Sequence, residues 1–272
     1  MSIPAYKINV LSVADVTVPA AFLLYHAFAP DMYVVPSYMF LITGENIPPI
    51  IVDTGVKEKS ETLTKFYPEM NGVTPPPEGK SIACQLGKFG YKPEDIKVVL
   101  HTHLHVDHAG NDDMFPNAKI IIARKEMMFS VAGVDPGYPA EYITYLVEQL
   151  PVPGKLRLFD EDFELFPGIR LMVAESHTLG STIISVNTAK GAAYICGDII
   201  YSQVMQCQKH PYGKEDIEAH WNSAADAFGD QISGNNLNLW SAKTALQKIM
   251  READIILPSH DPYVLEAYGD TI

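Results

Sequence analysis

The segment HTHLHVDHAG, His101 to Gly110, puts four histidines and one aspartate into ten residues. It follows the short apolar run 97–101 (KVVLH), which reads as a buried strand. Chain leaving a strand end is where a rigid sheet can present side chains to a cleft. The useful subset is His103-x-His105-x-Asp107-His108. Neutral imidazole and carboxylate are good ligands for zinc and similar divalent ions, whose sites take three or four protein donors at about 2.0–2.2 Å. So short a segment cannot easily wrap an ion alone. Donors at relative positions 0, 2, 4 and 5 can instead be split between two neighbouring ions, His103 and His105 facing one, Asp107 and His108 the other. Each ion then needs ligands from distant chain.

The rest of the sequence can meet that demand. Of nine histidines, His177 and His260 each come just after a run that reads as a strand, and Asp198 in CGDII does the same. A lone histidine after a strand is more often a hydrogen-bonding residue than a ligand. The joint pattern, not any single position, is what points to metal.

Strand-like runs cover 7–13, 34–43 and 49–52, the last ending in Asp53-Thr54-Gly55, then 97–101 and 118–123. Helices are expected over 81–90, 125–131 and 139–150, with a loop at Thr74-Pro75-Pro76-Pro77. After the punctuation Pro151-Val152-Pro153-Gly154, strands resume at 156–159, 169–174, 181–187 and 192–196. Helices follow at 214–228 and 239–251, separated by the Gly-, Ser- and Asn-rich stretch 229–238, and a last strand covers 254–258. The expectation is one α/β domain of two similar halves, about 1–150 and 151–272. Its two sheets pack face to face with helices outside, a four-layer αββα sandwich.

Composition narrows the partners. With 20 basic and 33 acidic residues the net charge is −13, which disfavours attraction to nucleic acid phosphates or anionic membrane surfaces. No apolar run approaches the roughly 20 residues needed to span a bilayer, and residues 6–18 alternate like a strand, not a secretory leader. Cys84, Cys196 and Cys207 are odd in number without CxxC spacing, so they read as small buried hydrophobes in a reducing cytoplasm.

HTHLHVDHAGN, with Asp53-Thr54-Gly55 ahead and His177, Asp198 and Ser259-His260-Asp261 behind, resembles the metallo-β-lactamase superfamily of binuclear metal hydrolases over nearly the whole chain. The resemblance implies one ion on His103, His105 and His177 and a second on Asp107, His108 and His260, with Asp198 bridging. It implies two divalent ions, zinc first, with Mn, Fe or Co as alternatives, and Asp53 as an aspartate that orients the motif loop. His101 matches no ligand position and reads as a packed or hydrogen-bonding neighbour. His26, His210 and His220 are unassigned surface or loop residues.

The β-lactamases of the superfamily usually lack the second-site histidine and carry cysteine where Asp198 stands, so antibiotic hydrolysis is not implied. Tyr201, three residues beyond Asp198, resembles instead the tyrosine of the N-acyl-homoserine lactonase group. There its phenol would meet the substrate carbonyl, and Asp107 would pass a proton to the leaving alkoxide. Two ions sharing a hydroxide favour hydrolysis. The expected function is therefore opening of a lactone, as in quorum quenching, or cleavage of a related small-molecule ester. A glyoxalase II-like thioesterase, an aryl ester or ether hydrolase, a phosphodiesterase and a non-catalytic metal-stabilised binding protein remain the alternatives. Glu175-Ser176 in place of a glycine-containing turn and the unusual stretch 203–238 depart from the lactonase pattern. The apolar segment 20–36 suits a pocket wall or a homodimer interface.

Overall fold

The structure, a computed structural model, describes residues 3–23, 32–57, 79–133, 137–138, 140–207 and 232–272. His26, His210, His220, the Thr74–Pro77 loop, the helix expected over 214–228 and the middle of the 20–36 segment lie outside the described residues.

Eleven strands among the described residues form two sheets. The first contains β1 (Lys7–Pro19), β2 (Met32–Thr43), β3 (Ile50–Val52), β4 (Val98–Leu100), β5 (Lys119–Ala123) and β6 (Leu156–Phe159), in that spatial order. The second contains β7 (Phe163–Phe166), β8 (Ile169–Val173), β9 (Thr182–Thr188), β10 (Gly191–Gly197) and β11 (Ile255–Pro258), with spatial order β11-β10-β9-β8-β7. Strands β3 to β6 run parallel, as do β10 and β11, and the remaining pairs are antiparallel.

Strand alternation divides most of the apolar residues among three cores. In β2, Tyr38, Phe40 and Ile42 enter one core, whereas Met39 and Leu41 enter another. The first of these also takes Leu171, Ile184, Ile195 and Leu257 from the second sheet, so it is the space between the sheets. Met39, Leu41, Val99 and Ile120 pack outward against Leu86, Met127 and Leu146 of the helices Ile82–Gly87, Arg124–Ala132 and Ala140–Gln149. On the far side, Met172, Ile183, Tyr194 and Ile256 meet Ala245, Leu246 and Ile249 of the helix Leu239–Glu252. That helix starts where the Asn238 side chain accepts from the Ser241 amide at 3.1 Å, and the 3.6-residue spacing of its apolar positions supplies the covering face. The three cores separate four layers, the expected αββα sandwich.

Three expectations need correction. The halves do not divide at 150/151, because β6, beyond Pro151–Gly154, pairs parallel with β5 from Ile120↔Leu156 to Ala123↔Phe159. The change of sheet falls between Phe159 and Phe163. Strand β7, which local pattern did not reveal, pairs with β8 across a four-residue span too short for a clear alternation. Cys84 is exposed, while Cys196 and Cys207 are buried; all three are free.

Phe40, wholly buried between the sheets, tests this layering. Phe40→Ala should cost about 3–5 kcal/mol, read as a lower urea midpoint. Trp240→Ala, at a side chain 84% exposed, should stay within about 0.5 kcal/mol.

Candidate metal centre

The parallel pairings explain how residues distant in sequence come together. Val52 lies beside Leu100, and Gly197 beside Pro258, so the chain leaving β3, β4, β10 and β11 emerges side by side. Strand β8 is two antiparallel steps from β10 and therefore ends at the same edge. These ends deliver Asp53, the His101–Gly110 segment, Asp198, His260 and His177. The motif loop is braced by the Asp53-Thr54-Gly55 turn: the Thr54 amide donates to the His108 carbonyl at 2.6 Å, and the Gly110 amide to the Gly55 carbonyl at 2.8 Å. Gly110 is required there, since a Cβ would lie 2.6 Å from that carbonyl oxygen and 2.5 Å from the Lys57 nitrogen.

The residues group as three overlapping donor sets: His103, His105 and His177; His103, His108 and Asp198; Asp107, His108 and His260. Within each set the ligand atoms lie within 4.8 Å of one another. His177 Nε2 is 3.0 Å from His105 Nδ1, and His108 Nε2 is 3.2 Å from His260 Nε2. Asp198 lies between the groups, its Oδ2 3.5 Å from His177 Nε2 and 3.9 Å from His103 Nε2. Its Oδ1 is 3.0 Å from His108 Nε2 and 3.3 Å from His260 Nε2. Asp107 Oδ2 is 3.3 Å from His260 Nε2.

The outward ring nitrogens fix what the inward ones offer. His177 Nδ1 donates to the Asn235 carbonyl, His260 Nδ1 to the Pro36 carbonyl at 2.7 Å, and His108 Nδ1 to Asp53 Oδ2 at 2.9 Å. Thr102 Oγ1 gives its own proton to Asp53 Oδ2 at 2.7 Å, so it accepts from His103 Nδ1 at 3.1 Å. These four bonds place an N–H at each Nδ1 and turn four Nε2 atoms inward. Facing ring nitrogens repel unless a proton or a metal ion lies between them. Donors about 2.0 Å from a tetrahedral ion stand about 3.3 Å apart, close to the observed nitrogen spacings. His103 Nε2 and Asp198 Oδ1 are buried with no hydrogen-bond partner, and each such atom costs about 1–3 kcal/mol if nothing satisfies it. The residues present therefore fit divalent metal.

Charge follows the same division. Burial works to raise the Asp107 carboxyl, but His108 and His260 bring it down to about 2. Asp198 is also held well below the carboxylate range against burial, by His108 and His260. Burial lowers His103 well below its usual value and His177 to about 4. It also opposes protonation of His260, but Asp198 and Asp107 prevail and push that group up to about 10.

His101 faces away from the cluster. Its Nε2 meets both oxygens of Asp112 at 3.0 and 3.1 Å, and its Nδ1 is 3.5 Å from Asp53 Oδ1. These carboxylates raise it to about 9 despite burial. The Tyr201 hydroxyl donates to Asp198 Oδ2 at 2.5 Å, and its ring stacks on His260 with centroids 5.4 Å apart. Burial, reinforced by Asp198, raises the phenol well above its usual value. Sequence reasoning missed Asp112, Thr102, Asn235 and Pro36. The last two act through backbone carbonyls, about which side-chain identity says nothing.

A four-layer sandwich whose adjoining strand ends bring His and Asp side chains into three overlapping donor sets defines a metal-binding protein. The sequence profile of the Metallo-beta-lactamase superfamily matches residues 32–260, and the chain belongs to that superfamily. An N-acyl homoserine lactonase of Bacillus cereus is 27% identical over 232 residues, 83% of this chain and 81% of the relative. Among solved structures, an N-acyl homoserine lactone hydrolase with the product N-hexanoyl-L-homoserine at its catalytic metal centre aligns with TM-score 0.71, 22% identity and 100% of both chains covered. AidC, a dizinc quorum-quenching lactonase, aligns with TM-score 0.64 and 18% identity over 97% of this chain and 90% of its own.

Metal analysis after dialysis should return about two divalent ions per chain for the unaltered protein and for His101→Asn, but no more than about one for Asp198→Ala. Loss of an ion in His101→Asn would place that histidine among the ligands.

Proposed function

We propose that this protein is a zinc-dependent lactonase, opening N-acyl homoserine lactones or closely related esters in the cytoplasm. The observation that carries the reading is the Tyr201 hydroxyl held at Asp198 Oδ2 within the His and Asp cluster. The lactonase relatives add support, since they share most of this chain's length. Three free cysteines, one of them exposed, suit a reducing compartment. Among the described residues no helix is long and apolar enough to cross a membrane.

His103, His105 and His177 would hold one ion, Asp107, His108 and His260 the other, with Asp198 between them. Such a pair, when bound, supplies hydroxide near neutral pH and draws charge from an acyl oxygen. The protein's own groups do the rest. Asp107, anionic and with its side chain 15% exposed, receives the proton given up by the attacking oxygen and passes it to the ring oxygen as the acyl C–O bond breaks. The product is the open hydroxy acid, and the elements of one water are added. Tyr201 keeps its proton at neutral pH and can turn its O–H from Asp198 to the developing oxyanion. Its ring is clamped for this by Val16, Val18, Leu23 and Val35. Asp53 and the Asn235 and Pro36 carbonyls keep the imidazoles in register.

The test compares metal-loaded protein on N-hexanoyl homoserine lactone, a thioester and a phosphodiester. Lactone should be preferred by at least about 10²-fold in kcat/KM, and turnover of the thioester with lactone untouched would sink the reading. Asp107→Asn should lower kcat by about 10²–10⁴. Tyr201→Phe should lower it by about 10² at unchanged metal content.

A further inference from the structure

Glu126 is a buried carboxylate, only 1% exposed, that belongs to neither the donor cluster nor the proposed chemistry. It lies in the first turn of the helix Arg124–Ala132, which starts directly after β5. Burying a carboxylate is costly unless donors surround it, and here four do. Oε1 accepts from the Leu104 amide at 2.9 Å and from the Tyr138 hydroxyl at 2.9 Å. Oε2 accepts from the Thr178 hydroxyl at 2.6 Å and from the Gly180 amide at 3.1 Å.

The placement of those donors is the point. Leu104 sits between His103 and His105, and the Tyr138 ring lies 4.8 Å from the His105 ring. Thr178 is the neighbour of His177. One oxygen thus holds the loop after β4, in the first sheet, and the other holds the loop between β8 and β9, in the second. Those two loops carry the His103, His105 and His177 donor set. The contact is close enough to require glycine at 180, where a Cβ would stand 2.2 Å from the Glu126 nitrogen. The other set, Asp107, His108 and His260, is held by different groups: Asp53 on His108, the Pro36 carbonyl on His260, and the Ser37 hydroxyl on the Asp107 carbonyl at 3.3 Å.

We infer that Glu126 is a positioning residue for the first of the two ions, fixing the distance between the His103/His105 loop and the His177 loop without touching metal. This goes beyond the lactonase reading and does not depend on it. Glu126→Gln keeps the shape but leaves one oxygen, so the new amide group must face either the Leu104 or the Gly180 N–H, donor against donor.

The test titrates metal-free protein with zinc against a chromophoric chelator. In Glu126→Gln one of the two binding events should weaken by about 10–100-fold while the other stays within about twofold. In the Glu126→Gln/His260→Ala pair the remaining binding should also fall, which assigns the weakened event to the first donor set. Equal weakening of both events, or no weakening with only a lower thermal midpoint of the metal-free protein, would overturn the inference and leave Glu126 a brace of the fold. If Glu126→Gln does not fold, Thr178→Val and Tyr138→Phe each remove one bond from one side of the clamp. The same selective loss is expected from them in smaller degree, and its absence from both overturns the proposal.

Discussion

Four buried imidazoles point Nε2 at one small volume because each Nδ1–H is already committed elsewhere. The rest of the structure is arranged around that constraint. Without metal, the ring nitrogens 3.0 and 3.2 Å apart must share protons, and His103 Nε2 and Asp198 Oδ1 stay buried without a hydrogen-bond partner. Divalent ions held by these donors would satisfy them at ordinary ligand distances. Metal is therefore part of what makes this edge of the protein stable, and the outward hydrogen bonds make the edge selective for metal over a simple polar network.

Such an edge needs a rigid support, and the sandwich supplies one. Parallel pairing of β3 with β4 and of β10 with β11 places loop origins side by side. The core between the sheets fixes the distance between donors from the first sheet and donors from the second. Full burial of a Leu, Ile or Phe side chain is worth about 1.5–3 kcal/mol. A few of the many side chains in that core offset the unfavourable terms of the site. Asp53 illustrates the coupling: it stands at a left-handed φ of 59°, which aspartate tolerates better than most residues. From there its oxygens meet the Thr102 amide and hydroxyl and the His108 ring together.

The cluster of candidate donors was legible in the sequence because metal chemistry restricts residue type. His103, His105, Asp107 and His108 stand close together, and His177, Asp198 and His260 each follow a strand. Most strands were equally legible, since burial on both faces gives short apolar runs such as Ile50–Val52 and Val98–Leu100. What stayed hidden was long-range. That β6 joins the first sheet depends on its pairing with β5, which nothing between residues 151 and 159 encodes locally. Glu126 stayed hidden for a similar reason: a glutamate in the first turn of a helix is ordinary on a solvated surface. Only the approach of two loops from different sheets makes it a buried clamp. The carbonyls of Pro36 and Asn235 have no sequence signature at all.

The two carboxylates of the cluster show how one side-chain type takes two roles from its surroundings. The Asp198 side chain is 3% exposed, shares its oxygens with four histidines or their neighbours, and receives the Tyr201 hydroxyl. A group so enclosed cannot exchange protons with solvent without breaking the bonds that place it, which suits a holding role in the proposed chemistry. The Asp107 side chain is 15% exposed and meets the cluster from its open side, at His260 and His108. That partial exposure suits the proton carrier proposed between the attacking water and the departing alkoxide. Tyr201 belongs with Asp198 in the resting protein and with the substrate oxygen during the proposed reaction. Its clamped ring limits that change to a rotation of the hydroxyl, so little reorganisation is needed when charge develops.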